Sequence, residues 1–379
     1  MKQVHISDTG RVLTISDTDG APMRFHAIWL RDNAPDPATR APGNGQKLIT
    51  IGDIPADTII TRAAISRDHL VVTFLPENKQ VEYDLAWLAA HAYDRAEEKT
   101  PGWTGAHVRL WQGGAELPVA DFAMVNRAPH HLRDWLSDLL SHGVARLTGG
   151  PVQDRALFQV VDLFGHVRET NYGRHFEVRT TVNPENLAYT GLGLQAHTDN
   201  PYRDPVPTVQ VLYCLESSAA GGENMVVDGF AAARRLSQEN PDGFRLLSRH
   251  CARFEYAGDG DTILRSRRPM IELAPDGELV AIRFNNRSCT TLTDVPFDEM
   301  EAYYQAYRHL GDIIDDPDMQ VSFRLEPGEC FVVDNTRVLH ARRAYSGTGT
   351  RWLQGCYADL DGMRSRLAVL ERDQQVAAE

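Results

Sequence analysis

Cysteine is scarce in this sequence and shows no pattern. The five cysteines are odd in number, all lie after residue 213 and form no C-x-x-C pair; they are Cys214, Cys251, Cys289, Cys330 and Cys356. A disulfide framework needs an even, regularly spaced set, and a cysteine-based zinc cluster needs paired thiolates. We therefore predict reduced thiols and a cytoplasmic location.

Long apolar runs and excess positive charge are also missing. No segment approaches the roughly 18 apolar residues of a membrane span, and MKQVHISDTG at the N-terminus has no apolar signal-peptide core. The formal net charge of -13 at pH 7 argues against binding along nucleic acid or an anionic membrane. We expect a soluble protein with a small-molecule partner, and the net charge leaves room for a locally basic pocket.

The length of 379 residues suits one large core and a smaller domain. Short strand-like runs separated by turns predict a small β-rich domain over residues 1–97: VHIS, RVLTIS, KLITIG, TIITRAAI and HLVVTFLP. DLAWLAAHAYDRAEE has a helical pattern at the end of this region. The polar, glycine-containing stretch 98–117 is predicted to be a linker, and 118–379 the main domain.

The second region mixes helices with strands that return after long insertions. HHLRDWLSDLLSHG is an amphipathic helix pattern that ends at Gly143, and FAAARRLSQEN, DGFRLLSRH and FDEMEAYYQAYRHLGDII predict further helices. VQVLYCL, NMVVDG, ELVAIRFNN, ECFVVDN and WLQGCYADL are strand-like. This arrangement favours a mainly β fold with flanking helices, a double-stranded β-helix (jelly roll), over a βαβ array.

His197-Thr198-Asp199, His340 and Arg351 are the candidate chemistry-bearing residues. An H-x-D motif alone is equally well explained as a hydrogen-bonded turn. Here it precedes a strand and a Gly-Gly turn, and a Pro-Gly-opened strand leads to His340. Two imidazoles and a carboxylate at strand ends are the protein half of a 2-His-1-carboxylate Fe(II) site. An arginine eleven residues later suits a two-pronged contact to a carboxylate.

Five stretches carry a family resemblance over nearly the whole chain: WLRDNAPD, NPENLAYTGLGLQAHTDNP, GGENMVVDGF, IRFNNRSCTTLTDVP and LHARRAYSGTGTRWLQGCYADLDGMRSRL. The chain resembles the γ-butyrobetaine and trimethyllysine hydroxylase branch of the Fe(II)/2-oxoglutarate oxygenases, within the taurine-dioxygenase-like superfamily. The resemblance implies a jelly-roll catalytic domain with a small N-terminal domain. It also implies Fe(II), 2-oxoglutarate and O2 as cofactor and cosubstrates, and a homodimer.

The resemblance assigns residue roles. It makes His197, Asp199 and His340 the iron ligands and Arg351 the partner of the distal carboxylate of 2-oxoglutarate. Asn224 falls near the same carboxylate, where relatives usually have a Ser or Thr hydroxyl.

Four aromatic residues match a cage for a trimethylammonium group: Tyr172, Phe176, Tyr189 and Tyr357. A quaternary ammonium cannot donate a hydrogen bond, so ring faces suit it, each contributing about 0.5–2 kcal/mol. The alternative is that these rings are ordinary core aromatics.

The N-terminal region departs from the family. Relatives often hold a structural zinc with three cysteines just after WLRDN and a later histidine. Here Ala34 to Thr39 contain no cysteine, and Lys79 stands at the histidine position. We therefore expect no structural zinc.

The predicted anion site departs as well. Asn186 and Asn286 match the two amides that bind the substrate carboxylate in relatives. Arg287 and Tyr202 add a guanidinium and a phenol where relatives have small residues. The added groups suit an anion with more charge and three oxygens, such as a phosphonate. The alternative for Arg287 is a surface or structural ion pair.

The leading hypothesis is hydroxylation of 2-(trimethylammonio)ethylphosphonate at C1, with succinate and CO2 as co-products. The alternative within the class is hydroxylation of γ-butyrobetaine to carnitine. A hypothesis of another class is a non-catalytic jelly-roll binding protein or sensor.

Overall fold

The computed structural model describes residues 2–17, 20–94, 99–179, 194–218, 221–343 and 349–378. The chain divides into two compact units, residues 1–98 and 99–379. Within the described part of the chain, no helix is both long enough and apolar enough to cross a bilayer.

The described residues of the first unit form two three-stranded antiparallel sheets and two short helices. The strands are β1 (Gln3–Ile6), β2 (Val12–Asp17), β3 (Gly20–His26), β4 (Ile59–Ser66), β5 (His69–Leu75) and β6 (Lys79–Asp84), and the helices are α1 (Ala27–Asp32) and α2 (Leu85–Ala90). Alternate residues of β2 and β5 are buried, so each strand contributes one apolar face to a common core. This is the small β-rich region that the sequence predicted.

One local prediction in this unit was wrong, and another was confirmed only in part. KLITIG is not a strand: a 3-10 turn occupies Ile51–Asp53, where Thr50 and Asp53 form a capping box, and Leu48 and Ile51 are exposed, so the segment has no apolar face to bury. The predicted helix at DLAWLAAHAYDRAEE ends at Ala90. Beyond it the Tyr93 hydroxyl accepts from the backbone N–H of His26 at 2.8 Å, which draws the chain towards β3.

A hydrogen-bonded ionic network lies where relatives were expected to bind zinc. Lys79 Nζ donates to Asp36 Oδ1 at 2.8 Å, and the Thr39 hydroxyl donates to Asp36 Oδ2 at 2.8 Å. Arg31 donates to Thr39 at 3.2 Å and to both carboxylate oxygens of Glu77 at 2.7 Å. The network ties the loop after α1 to the turn before β6.

Two facing sheets form the centre of the second unit. The six-stranded sheet has the order β7-β8-β18-β11-β20-β9, and the four-stranded sheet has the order β10-β19-β12-β17. The strands of these sheets are β7 (Val119–Asp121), β8 (Val144–Thr148), β9 (Phe176–Val178), β10 (Leu194–His197), β11 (Val209–Ser217), β12 (Asn224–Asp228), β17 (Gln320–Phe323), β18 (Cys330–Asp334), β19 (Val338–Arg342) and β20 (Arg351–Ala358). This is the predicted jelly roll of a mainly β fold, with the strands antiparallel except for the β7–β8 pair.

Two hairpins and seven helices in the described residues complete this unit. The hairpin strands are β13 (Cys251–Asp259), β14 (Thr262–Pro269), β15 (Ile271–Leu273) and β16 (Leu279–Ile282), and the helices are α3 (Phe122–Arg127), α4 (Pro129–His142), α5 (Leu157–Val161), α6 (Gly229–Glu239), α7 (Pro241–Arg249), α8 (Met300–Asp315) and α9 (Leu360–Ala378). The predictions of α4, α6, α7 and α8 are confirmed. Helix α4 ends as expected at Gly143, whose φ of 74° lies in the left-handed region.

Side-chain alternation along β11 separates the two cores of this unit. Val209, Val211 and Tyr213 pack with α4, α5 and α9 outside the six-stranded sheet. Leu212 and Cys214 point the other way and pack between the sheets. Gln210 shares this inward face, which places it among the candidate site residues.

The stretch predicted as a linker packs against the second unit. Trp111 is buried, and its indole Nε1 donates to the carbonyl of His142 at 2.7 Å. Its backbone N–H donates to Asp228 Oδ2 at 3.1 Å. Residues 99–117 are therefore part of the compact unit, and the domain boundaries at 97 and 118 stay a prediction.

Candidate active site

Strand pairing brings the three predicted metal ligands together. His197 at the end of β10 lies directly opposite His340 on β19. Nε2 of His197 is 3.4 Å from Oδ1 of Asp199, and Nε2 of His340 is 3.7 Å from the same oxygen. One ligand atom from each residue lies within 4.8 Å of the other two.

Hydrogen bonds to neighbouring groups orient these side chains. His197 Nδ1 lies 2.7 Å from the carbonyl of Gln195, so it carries the proton and leaves the Nε2 lone pair towards the ligand cluster. Gln210 Nε2 and the Tyr357 hydroxyl both donate to Oδ2 of Asp199, at 2.6 and 2.8 Å. Oδ1 therefore remains for a metal ion.

The Asp199 loop is fixed by a buried amide that the sequence did not reveal. Asn335 Oδ1 accepts from the backbone N–H of Asp199 at 2.7 Å, and Asn335 Nδ2 donates to the Asp199 carbonyl at 3.0 Å. Asn335 is buried. Its position as the last residue of the predicted strand ECFVVDN is the one available signal, because such strand ends lie near the site.

The protonation states suit a cation. Burial lowers the pKa of His340 to about 3, so the imidazole is neutral at neutral pH. Burial raises the pKa of Asp199, but the two histidines and the Tyr357 hydroxyl together hold it below its usual range. The donor set is two imidazoles and one carboxylate, and His340 Nδ1 is buried without a hydrogen-bond partner among the described residues. This set fits Fe(II).

One cavity surrounds the ligand cluster and contains most of the predicted site residues. At one end Arg351 NH2 donates to Asn224 Oδ1 at 3.1 Å. Arg342, which the sequence analysis missed, lies opposite Asn224 in the β12–β19 pairing and lines the same cavity. It is two residues after His340, and the two-residue period of a strand places both side chains on one face.

Aromatic rings form another wall of the cavity. Phe176 and Tyr357 have ring centroids 5.2 Å apart, and Tyr172 lies 6.3 Å from Phe176 in an edge-on arrangement. Tyr202 lines the cavity with them. Tyr256 on β13 was missed and lies 5.2 Å from Tyr202, behind this wall. The predicted fourth cage residue, Tyr189, lies outside the described residues.

Of the residues predicted to bind the substrate's anionic end, the structure places Arg287 in the cavity but not Asn286. Arg287 is exposed and lines the cavity, and its charge contributes to the lowered pKa of His340. Asn286 instead lines a neighbouring surface cavity, where its side chain contacts Gln195 and Tyr307. Asn186 lies outside the described residues.

The Tyr202 hydroxyl is within hydrogen-bonding distance of two neighbouring side chains. It donates to Asn200 Oδ1 at 2.6 Å and lies 2.9 Å from the Tyr172 hydroxyl. Burial raises the pKa of Tyr202 to about 12, so the phenol stays neutral. Asn200 lines the cavity, and its Nδ2 is buried without a partner among the described residues. The amide of Asn200 is therefore a further donor that the sequence analysis missed.

A second cluster of ligand-type residues lies outside this cavity. Asp154, His175 and Glu177 also place one ligand atom each within 4.8 Å of one another. Their carboxylates already accept hydrogen bonds, since Gln354 Nε2 donates to Asp154 at 2.7 Å and to Glu177 at 2.9 Å. We interpret the cluster as a network that joins β9 to β20.

Comparisons with known proteins agree with this geometry. Residues 109–357 match the model of the taurine catabolism dioxygenase TauD, TfdA family, and residues 4–89 match the gamma-butyrobetaine hydroxylase-like N-terminal model. A gamma-butyrobetaine dioxygenase of Pseudomonas sp. (strain AK-1) is 34% identical, over 95% of this chain and 94% of that protein. The human gamma-butyrobetaine dioxygenase is 30% identical, over 96% of each chain. The mouse mitochondrial trimethyllysine dioxygenase is 29% identical, over 93% of this chain and 84% of that protein.

A solved structure shows the same fold. The crystal structure of asparagine oxygenase has a TM-score of 0.50 and 19% identity, over 63% of this chain and 83% of that chain. The predicted fold class, enzyme class and cofactors are confirmed: the enzyme is a dioxygenase that uses Fe(II) and 2-oxoglutarate. The chain belongs to the taurine catabolism dioxygenase TauD, TfdA family.

Proposed function

We propose that this enzyme hydroxylates 2-(trimethylammonio)ethylphosphonate at C1. In the overall reaction the substrate, 2-oxoglutarate and O2 give the 1-hydroxy phosphonate, succinate and CO2. Relatives named for γ-butyrobetaine and trimethyllysine act on molecules with a trimethylammonium group. The wall of Tyr172, Phe176 and Tyr357, with Tyr189 as a fourth predicted member, suits that group because ring faces attract a cation that cannot donate hydrogen bonds.

The proposal of a phosphonate substrate rests on the positive charge of the cavity lining. The described lining residues include three arginines, Arg287, Arg342 and Arg351, against one carboxylate, Asp199. This cationic lining contrasts with the net charge of -13 for the whole chain. A phosphonate carries up to two negative charges and three oxygens, and Arg287 with the buried Asn200 amide supplies donors for more than a single carboxylate.

We assign the remaining roles from the same cavity. Bound Fe(II) and 2-oxoglutarate supply the oxygen activation that the hydroxylation requires. His197, Asp199 and His340 hold the metal, and Arg351 with Asn224 binds the distal carboxylate of 2-oxoglutarate. The aromatic wall holds the trimethylammonium end of the substrate, and Arg287 with the Asn200 amide holds the anionic end, so that the reacting carbon is placed between them. Tyr202 orients Asn200, whose Oδ1 accepts from the Tyr202 hydroxyl. Asn186 remains a proposed contributor to the anion end, and Asn286 contributes through the turn that carries Arg287.

Turnover with two substrates tests the proposal. Succinate formation is measured with the phosphonate and with γ-butyrobetaine at matched concentrations, and kcat/KM should be higher for the phosphonate. Higher kcat/KM for γ-butyrobetaine would support hydroxylation to carnitine instead. That alternative draws support from the relatives named gamma-butyrobetaine dioxygenase.

An Arg287→Ala variant tests the anion contact. A hydrogen bond to a charged group contributes about 1.5–3 kcal/mol, so kcat/KM for the phosphonate should fall about tenfold or more. The matched control is Arg265→Ala, which removes an exposed arginine paired with Glu255 on the β13–β14 hairpin. If Arg287→Ala lowered kcat/KM equally for both substrates, Arg287 would not distinguish the phosphonate from the carboxylate.

The alternative of another class, a non-catalytic binding protein, disagrees with the enzyme class that the family match shows. The iron site has its own test. Anaerobic addition of Fe(II) and 2-oxoglutarate should give a visible charge-transfer band that is lost in His197→Ala. The homodimer and the cytoplasmic location are further parts of the proposal. Light scattering of the purified protein and cell fractionation test them.

A further inference from the structure

The turn that carries Arg287 is fixed on one side by the metal-ligand loop. The backbone N–H of Thr198, between the two ligands of the H-x-D motif, donates to the Phe284 carbonyl at 2.9 Å. The Phe284 N–H donates to Thr198 Oγ1 at 3.2 Å, and Asn285 Nδ2 donates to the Thr198 carbonyl at 3.1 Å. Asn285 Oδ1 also accepts from the backbone N–H of Arg287 at 3.2 Å.

The other side of the turn is held by the side chain of Asn286. Asn286 Nδ2 donates to Gln195 Oε1 at 2.5 Å, and Asn286 Oδ1 accepts from the hydroxyl of Tyr307 on α8. Gln195 Nε2 in turn donates to Asp315 Oδ2, at the end of α8, at 2.6 Å. The chain of contacts joins α8, β10 and the turn.

Gln195 connects this arrangement to the metal site. Its side chain holds Asn286, while its backbone carbonyl lies 2.7 Å from Nδ1 of the ligand His197. Tyr307 is half-buried and packs edge-on against Phe284 at 5.8 Å between ring centroids. Burial raises the pKa of Tyr307, so its hydroxyl remains a donor at every working pH.

We infer that Tyr307 and Gln195 are positioning residues that set the placement of Arg287, and that they act through Asn286. The inference rests on the proposed function, because it concerns the anion end of that substrate. Asn286 faces away from the cavity and Arg287 faces into it, so a fixed Asn286 side chain determines where the next residue lies. Without the Tyr307 hydroxyl, the Asn286 amide loses one of its two hydrogen bonds. The turn that carries Arg287 then has more conformational freedom.

The test is Tyr307→Phe, with Tyr304→Phe as the matched control. Tyr304 is on the same helix and 51% exposed, and no hydrogen bond of its hydroxyl is found among the described residues. Tyr307→Phe should raise the KM for the phosphonate roughly three- to tenfold, the effect of losing one hydrogen bond, with kcat within about twofold. Tyr304→Phe should leave both constants unchanged. An equal effect of the two variants would overturn the inference.

A double-mutant cycle separates positioning from a general structural effect. In an Arg287→Ala background, Tyr307→Phe should change KM less than about twofold, because the residue it positions is gone. The same fold-change in both backgrounds would overturn the inference. Gln195→Ala, which removes an exposed side chain and keeps the backbone carbonyl, should repeat this non-additivity even if Tyr307→Phe folds poorly.

The cycle also remains informative if the proposed function fails. Should γ-butyrobetaine be the better substrate, the proposed function is wrong, and the cycle is measured on the KM for γ-butyrobetaine. Non-additivity of Tyr307→Phe and Arg287→Ala with that substrate would still support positioning, and additivity would overturn it.

Discussion

Tyr357 provides the most direct test of how the metal ligands are oriented. Its hydroxyl donates to Asp199 Oδ2 at 2.8 Å, beside the donation from Gln210 at 2.6 Å. Burial, with Asp199 nearby, holds the pKa of Tyr357 well above its ordinary value, so the hydroxyl stays a donor. The sequence predicted a different role, a ring of the trimethylammonium cage. Tyr357→Phe keeps the ring and removes only the hydrogen bond.

The expected magnitude follows from the remaining contact. A hydrogen bond to a charged acceptor contributes about 1.5–3 kcal/mol, and loss of a group that orients a metal ligand reduces metal affinity about 10–100-fold. Gln210 still holds the same carboxylate oxygen in the variant. We therefore expect the lower part of this range, about tenfold weaker Fe(II) binding, with the substrate KM within about twofold at saturating Fe(II).

Anaerobic titration of Fe(II) in the presence of 2-oxoglutarate measures this affinity through the charge-transfer band. Phe176→Leu is the complementary variant, since it removes a ring from the same wall without removing a hydrogen bond to Asp199. It should raise the substrate KM and leave Fe(II) affinity unchanged. Wild-type Fe(II) affinity combined with a raised KM in Tyr357→Phe would refute the orienting role of the hydroxyl.

Three further predictions concern other parts of the chain. Burial raises the pKa of Asp36, but hydrogen bonds from Lys79 and Thr39 hold it below the usual value, so the pair stabilises the fold at neutral pH and loses this effect as the pH falls below about 4. Lys79→Met should lower the free energy of unfolding, measured in urea, by about 1 kcal/mol at pH 7 and by less at pH 3. An equal decrease at the two pH values would contradict this role of the pair. Asp228 and Arg337 form a buried ion pair at 2.8 Å, and Asp228→Asn should lower the free energy of unfolding by about 3–5 kcal/mol, whereas a loss below about 1 kcal/mol would show that the pair is dispensable. Arg351→Ala should weaken 2-oxoglutarate binding, measured by the same anaerobic titration, about tenfold or more, and unchanged binding would remove Arg351 from that role.

Periodicity predicted the helices well where one face was clearly apolar. Helix α4 spans Pro129–His142, close to the predicted pattern HHLRDWLSDLLSHG that Gly143 ends, because its apolar stripe packs on the six-stranded sheet. The strand predicted at KLITIG failed because its apolar residues have no buried partner. A local pattern shows that a segment is apolar, but tertiary packing decides whether a neighbour covers it.

The residues that orient the site were beyond sequence reasoning. Gln210, Asn200 and Asn335 are amides of ordinary type, and apart from the strand-end position of Asn335 nothing in the sequence marks them. They matter because β11, the H-x-D loop and the end of β18 meet in space, where each amide finds a specific oxygen or N–H group. Arg342 carried one available signal, its two-residue offset from His340.

The sequence by itself determined the reaction class of this protein. His197, Asp199, His340 and Arg351 are residue types whose chemistry is fixed by their side chains, and their order along the chain matched a family. The tertiary structure decided the orientation of those groups and the charge of the cavity. It paired Tyr357 and Gln210 with Asp199, turned Asn286 away from the cavity and placed Arg287 within it. Such choices depend on which strand ends and turns approach one another, and distances of a few ångströms between residues far apart in the chain are not encoded in local pattern.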